Sequence, residues 1–416
     1  MPLINYSFLS KIKPKAKSKK NYATVKQSVL IRIRWAVSLL YFGMGLCFAT
    51  WASRIPVIKS ALNLSEGDLG SILFALPVGQ LLAMIFSGKT VERFGSYKIL
   101  PIALTLYTIG LACLGLATQG WQLALVLFAF GLAGNFCNIS VNTQGILTED
   151  LFKKTLMGSF HGSWSLAGFV GALIGLLLLS LEISTFNHLC IVSIICLILL
   201  VFNYKYLIKA KKKKVEIIKK KVFIKPNAPL IWLGIIGFCC MASEGIMFDW
   251  SGVYFKEIVK APGALVILGY TSFMVMMAIG RFIGDKWIQK YGAKKVLQFS
   301  GCTISVGLFL AVAFPYLIPC TISFMLVGLG VSSVIPTVYS TAGKNKDVPT
   351  SIALTTVSSV SFFGFLIGPP MIGYIAEMTS LKYSFGLIGF FGFFITILVS
   401  RLRIFSTEDE NKNEIS

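Results

Sequence analysis

Charge is scarce in this sequence. Only 13% of the 416 residues are Asp, Glu, Lys or Arg, about half the share a soluble globular domain carries. Acidic residues are scarcer still, 17 against 39 basic ones. Histidine occurs only at positions 161 and 188, and the nine cysteines contain no C-x-x-C pair. A metal site is therefore not expected, and neither is any other cofactor. The cysteines lie in or beside apolar runs and read as small buried hydrophobes. No Walker A loop, G-x-S-x-G or H-E-x-x-H is present, and no acidic pair has a useful spacing. A membrane-embedded enzyme or an ATP-driven machine thus has no chemistry to point to. A non-transporting membrane sensor would need an output domain, and the two tails are too short for one.

What fills the chain is apolar, 55% of all residues. Apolar runs long enough to cross about 30 Å of hydrocarbon recur from end to end, where a β-barrel would show short alternating strands. The runs predict an all-α polytopic membrane protein. Its twelve transmembrane helices fall at about 35–57, 69–88, 98–118, 121–147, 156–180, 184–207, 229–255, 264–284, 294–314, 317–341, 350–375 and 381–402. The net charge of +22 is distributed unevenly. Thirty-four Lys and Arg fall in the tails and the even-to-odd connections, while only Arg54, Lys59, Lys256, Lys260 and Lys382 fall on the other side. By the positive-inside rule both termini are expected in the cytoplasm, at a bacterial inner membrane. The charge then suits contact with anionic lipid and not with nucleic acid. Residues 1–33 form a Lys-rich tail without the apolar core of a cleavable signal, so the first span is expected to target the chain. A basic linker at 208–228 separates six spans (34–207) from six more (229–404), and 405–416 form a second short tail.

Two short charged turns repeat across that linker. Residues 87–100 read SGKTVERFGSYKIL and residues 284–297 read GDKWIQKYGAKKVL. At an offset of 197 they share Lys89/Lys286, Gly95/Gly292, Lys98/Lys295 and Leu100/Leu297, and both fall between the second and third spans of their half. This predicts two pseudo-symmetric six-helix halves in parallel orientation. Glycine at 95 permits a tight reversal. Glu92 and Arg93 can bond neighbouring helix ends and so latch that face, or the turn can simply be solvated.

With its Gly88, Glu92, Arg93, Gly95 and Lys98, the turn resembles the loop between spans two and three of the major facilitator superfamily. Glu replaces the usual Asp, and Ser96-Tyr97 precedes the final basic residue. FATWASRIPVIK (48–59), LSEGDLGSILFALPVG (64–79), NISVNTQG, SFHGSWSLAG (159–168) and EGIMFDWSGVY (244–254) are similar to a branch of rhizopine-transporter-like proteins related to fucose permeases. That resemblance implies alternating access, a role for the turn in holding one access state, and a small sugar- or cyclitol-like substrate.

Charges and amides inside the spans supply the candidate site, because each is expensive there. Glu244 lies deepest and is the first candidate for a proton- or substrate-linked group. Asp249, five residues on, faces another direction and suits coupling or helix bracing. Asn135, Asn138 and Asn142 share one face of the fourth span, with Gln144 nearby. Such amides suit a hydroxyl-rich ligand or serve as glue between helices. His161 shares a face with Trp164 and can carry a proton or cap a contact. Trp51 and Trp250 suit stacking on a sugar or an interfacial belt. Arg54 either snorkels or pairs with a carboxylate such as Asp249. Glu149 and Arg281, at matching depth, are expected to form an inner gate pair. Pro336, Pro369 and Pro370 are expected to break or kink spans ten and eleven. The chain thus reads as a monomeric secondary transporter, with proton-coupled uptake ahead of Na⁺ coupling, uniport or export.

Overall fold

A computed structural model describes residues 19–152, 156–209, 228–343, 345 and 350–402. Most of the linker, residues 1–18 of the first tail and all of the second tail lie outside these residues. A backbone in hydrocarbon must satisfy its own N–H and C=O groups, and the long apolar runs do so as helices. In chain order these are α1 (Lys19–Ala61), α2 (Glu66–Phe94), α3 (Ser96–Leu114), α4 (Gly120–Phe152), α5 (Met157–Ser180), α6 (Thr185–Asn203), α7 (Ala228–Glu257), α8 (Leu268–Tyr291), α9 (Ala293–Ala313), α10 (Leu317–Ser332), α11 (Val334–Gly343), α12 (Thr350–Met378) and α13 (Leu381–Arg401). Among the described residues twelve spans are long and apolar enough to cross a membrane, the tenth comprising α10 and α11 together. No strand occurs among the described residues.

The tenth span breaks at Ser333, and Pro336 sits in the first turn of α11. A proline is tolerated there because the first helical N–H groups have no intrahelical acceptor. Pro369 and Pro370, by contrast, lie inside the continuous helix α12 and do not break it.

Contacts divide the chain into two compact units. The first comprises Met1–Trp51, Ala75–Gly171 and Ile183–Ile217; the second comprises Ala52–Phe74, Ala172–Glu182 and Ile218–Ser416. They are not the two sequence halves, because residues 52–74 and 172–182 group with the later helices.

The repeat extends from the turns into helix packing. Gly95 has φ 90° and Gly292 has φ 83°, a region that favours glycine. In the first unit, a Cβ on Gly131 of α4 would stand 2.1 Å from the Leu76 carbonyl oxygen of α2. In the second, a Cβ on Gly328 of α10 would stand 2.2 Å from the Phe273 carbonyl oxygen of α8. Both members of the pair shift by the same 197 positions as the turn. Small residues at such crossings bring helix backbones together, which in hydrocarbon must rest on packing and hydrogen bonds. Aromatic pairs pack in each unit: Tyr107 stacks on Phe130 at 4.0 Å in the first, and Tyr254 lies tilted against Phe385 at 4.4 Å in the second.

Candidate functional site

In the first unit, α1, α4 and α5 assemble a polar and aromatic cluster. The Tyr41 hydroxyl donates to Asn142 Oδ1 at 2.8 Å. Asn142 Nδ2 in turn donates to the carbonyl and the Oδ1 of Asn138, each at 2.8 Å. This orders Tyr41, Asn142 and Asn138 in one line, with Asn138 exposed and Asn142 half-buried. The Tyr41 ring stacks on Phe160 at 5.6 Å and meets the edge of exposed His161 at 5.5 Å. Trp164, one turn further along α5, lies beside Phe48 at 6.1 Å. The exposed Asn138 amide and His161 imidazole offer donors and acceptors, with buried Tyr41 and half-buried Asn142 behind them.

Other amides of α4 do structural work. Asn135 Oδ1 accepts from Ser87 on α2 at 2.8 Å. Gln144, expected to bind substrate, is fully buried. Its Nε2 donates to Ser96 Oγ at 2.8 Å and to the Ile208 carbonyl at 3.0 Å, and its Oε1 accepts from the Ile208 N–H at 2.7 Å. It clamps the start of α3 and the chain after α6. The amide is used at both ends, so it has nothing to offer a solute.

The second unit holds the charged part. Glu244 of α7 accepts from Arg281 Nη2 of α8 at 3.2 Å, with side chains 12% and 27% exposed. Each stands 13 residues from the end of its helix at the α7–α8 connection, Glu257 and Leu268, which places the two at one depth. The expected Glu149–Arg281 gate pairs a residue of the first unit with one of the second, and the Glu244 contact does not decide it. In the first unit Glu149 Oε1 accepts from the backbone N–H groups of Leu156 and Met157, at the start of α5. The free N–H groups and positive end of a helix attract a carboxylate there.

Asp249 is buried. On its own and the adjoining helix the indole N–H of Trp250, the Ser251 hydroxyl and the Tyr270 hydroxyl are buried without a hydrogen-bond partner among the described residues. Trp51 and Trp250 have no exposure at all, so in this structure neither lies in an interfacial belt nor on a wall open to solute. Arg54 is 1% exposed, so it does not snorkel. Glu92 and Arg93 are exposed and take part in no ion pair among the described residues; Arg93 rests over the Phe94 ring at 5.3 Å. The turn has its glycine geometry, while these two side chains make no latch contact among the described residues. Tyr41 was missed from the sequence, where its only signal was a hydroxyl amid the apolar residues of the first span.

Twelve candidate membrane spans among the described residues, a repeated turn and polar groups held between helices are the features of a secondary transporter. The model of the Major Facilitator Superfamily matches residues 37–350 and 261–416, and the chain belongs to that family. An uncharacterized MFS-type transporter of Yersinia pestis is 28% identical over 84% of this chain and 90% of its own length. Membrane protein MosC of Rhizobium meliloti is 28% identical over 83% and 84%. The cis,cis-muconate transport protein of Acinetobacter baylyi is 22% identical over 85% and 89%. Among solved structures, the nucleoside transporter NupG superposes with a TM-score of 0.75 at 14% identity, covering 88% of this chain and 99% of its own. A bacterial homologue of the human lysosomal transporter Spinster gives 0.68 at 13%, covering 91% and 98%.

Proposed function

We propose that this transporter takes up a small polar, sugar- or cyclitol-like solute together with a proton, and that Glu244 carries the proton. The supporting observation is the Glu244–Arg281 pair, one carboxylate and one guanidinium at the same depth and both still partly exposed. A proton on Glu244 removes the charge that holds Arg281, and loss of that proton restores it. The pair therefore links protonation to the relative position of α7 and α8. Asn138 and His161, both exposed and held by Asn142 and Tyr41, supply hydrogen-bonding groups suited to hydroxyls. The cis,cis-muconate transport protein is named for a small polar organic solute, which supports the size class. The distribution of Lys and Arg supports cytoplasmic termini in a bacterial inner membrane.

The test is uptake of labelled sugars, cyclitols and amino sugars into proteoliposomes, with and without a gradient acid on the outside. Parent protein, Glu244→Gln and Asp249→Asn are run together, with a Na⁺ gradient as a control. The parent is expected to accumulate a solute under the acid gradient and Glu244→Gln only to equilibrate it. Accumulation by Glu244→Gln equal to the parent's would refute the role of Glu244.

A further inference from the structure

The end of the spans remote from the chain termini is fastened around one lysine. Lys59, in the last turn of α1, donates to Glu66 Oε1 in the first turn of α2 at 3.2 Å and to Glu257 Oε1 at the end of α7. The lysine side chain is 10% exposed and the two carboxylates 27% and 29%. Beside it, Lys256 of α7 donates to the Pro56 carbonyl of α1 at 3.2 Å and to the Ser60 hydroxyl. Ser71 of α2 and Tyr374 of α12 share a hydrogen bond at 2.8 Å. Backbones also meet directly. A Cβ on Gly70 would stand 2.8 Å from the Pro369 carbonyl oxygen and 3.0 Å from Gly373 Cα, and one on Gly252 would stand 2.7 Å from Pro56 Cγ. All of these groups belong to the second unit.

The two sequence halves contribute unequally to the charge. Lys59 and Glu66 come from the first six spans and Glu257 from the last six, so the Lys59–Glu257 bond is an ionic tie between them. A transporter working by alternating access must part this end of its halves once per cycle. A mostly buried ammonium held by two carboxylates resists parting, because removing one partner leaves charge uncompensated. The glycine contacts make the seam tight but carry no charge; Lys59 fastens it.

We infer that Lys59, bridging Glu66 and Glu257, is the gate residue that holds the end remote from the termini closed. The inference rests on the transporter class and not on the proposed substrate or coupling ion. Its test therefore needs neither.

The experiment follows thiol labelling in purified full-length protein. Ser53→Cys is the reporter beneath the seam, since Ser53 is 3% exposed. Ser159→Cys is the reporter at the other end, where Ser159 is exposed. Modification by a hydrophilic maleimide is read on each reporter peptide by mass spectrometry, so the nine native cysteines do not interfere. Lys59→Glu places three carboxylates together and is expected to speed labelling at position 53 about tenfold, because like charges drive the seam apart. Labelling at 159 is expected to slow as that end closes. The exchange Lys59→Glu with Glu257→Lys rebuilds one lysine between two glutamates and is expected to return both rates to the parent's. An unchanged rate at 53, faster labelling at both ends, or an exchange variant that stays fast would each overturn the inference.

Discussion

Removing either partner of the Glu244–Arg281 pair should cost far more than removing both. Breaking a fully buried ion pair from one side costs about 3–5 kcal/mol, because the remaining charge is left without compensation. Here Arg281 is 27% and Glu244 12% exposed, so water screens part of that penalty. About 2–3 kcal/mol is expected for Arg281→Gln, which strands a carboxylate in the membrane interior. Glu244→Gln keeps an acceptor oxygen for Arg281 but removes the negative charge opposite the guanidinium, at a similar cost. The double variant leaves two amides that can bond each other, and its cost should be about 1 kcal/mol. The cycle then yields a coupling of about 3 kcal/mol or more, roughly a hundredfold in the folding equilibrium. Equilibrium unfolding of the four proteins in mixed micelles measures it. If the two single costs simply add in the double variant, the pair is not an energetic unit and the reasoning about Glu244 fails with it.

The repeated helix crossings should respond alike to the same insult. Gly131→Val and Gly328→Val each drive a side chain into a carbonyl oxygen little more than 2 Å away. Each should destabilise by about 1–3 kcal/mol through overpacking, read as lower thermal unfolding temperatures in detergent; a tolerated valine at either site would contradict the crossing described for it. Gln144→Leu removes three hydrogen bonds and leaves both backbone polar groups of Ile208 buried without this partner. A loss of about 2–4 kcal/mol is expected, with transport per folded molecule unchanged. A transport defect in fully folded Gln144→Leu would return that residue to the solute site.

Why the helices were legible and the site was not has a physical origin. A bilayer admits few backbone structures, so hydropathy alone yields twelve spans. Repetition of Gly95 at Gly292 exposed the two-part design, and the same offset governs Gly131 and Gly328, because a glycine demanded by a close crossing leaves its mark in sequence. Polar pairing leaves no such mark. Glu149 and Arg281 match in depth when counted from the side of the charged turns, while the N–H groups beginning α5 lie nearer to Glu149 in sequence and bond it. Counting inward from the opposite connection, 13 residues from Glu257 and 13 from Leu268, would have matched Arg281 with Glu244 on the next helix. Depth measured from a shared turn identifies neighbours, whereas depth across distant spans only says that partners are possible. Asn135, Asn138, Asn142 and Gln144 make the same point on one helix. All four amides read alike in sequence, but Gln144 is enclosed, Asn135 is used by Ser87, and Asn138 and Asn142 alone join Tyr41. What separates glue from a binding surface is which hydrogen bonds remain after neighbouring helices have taken theirs. That depends on side chains more than forty residues away in sequence.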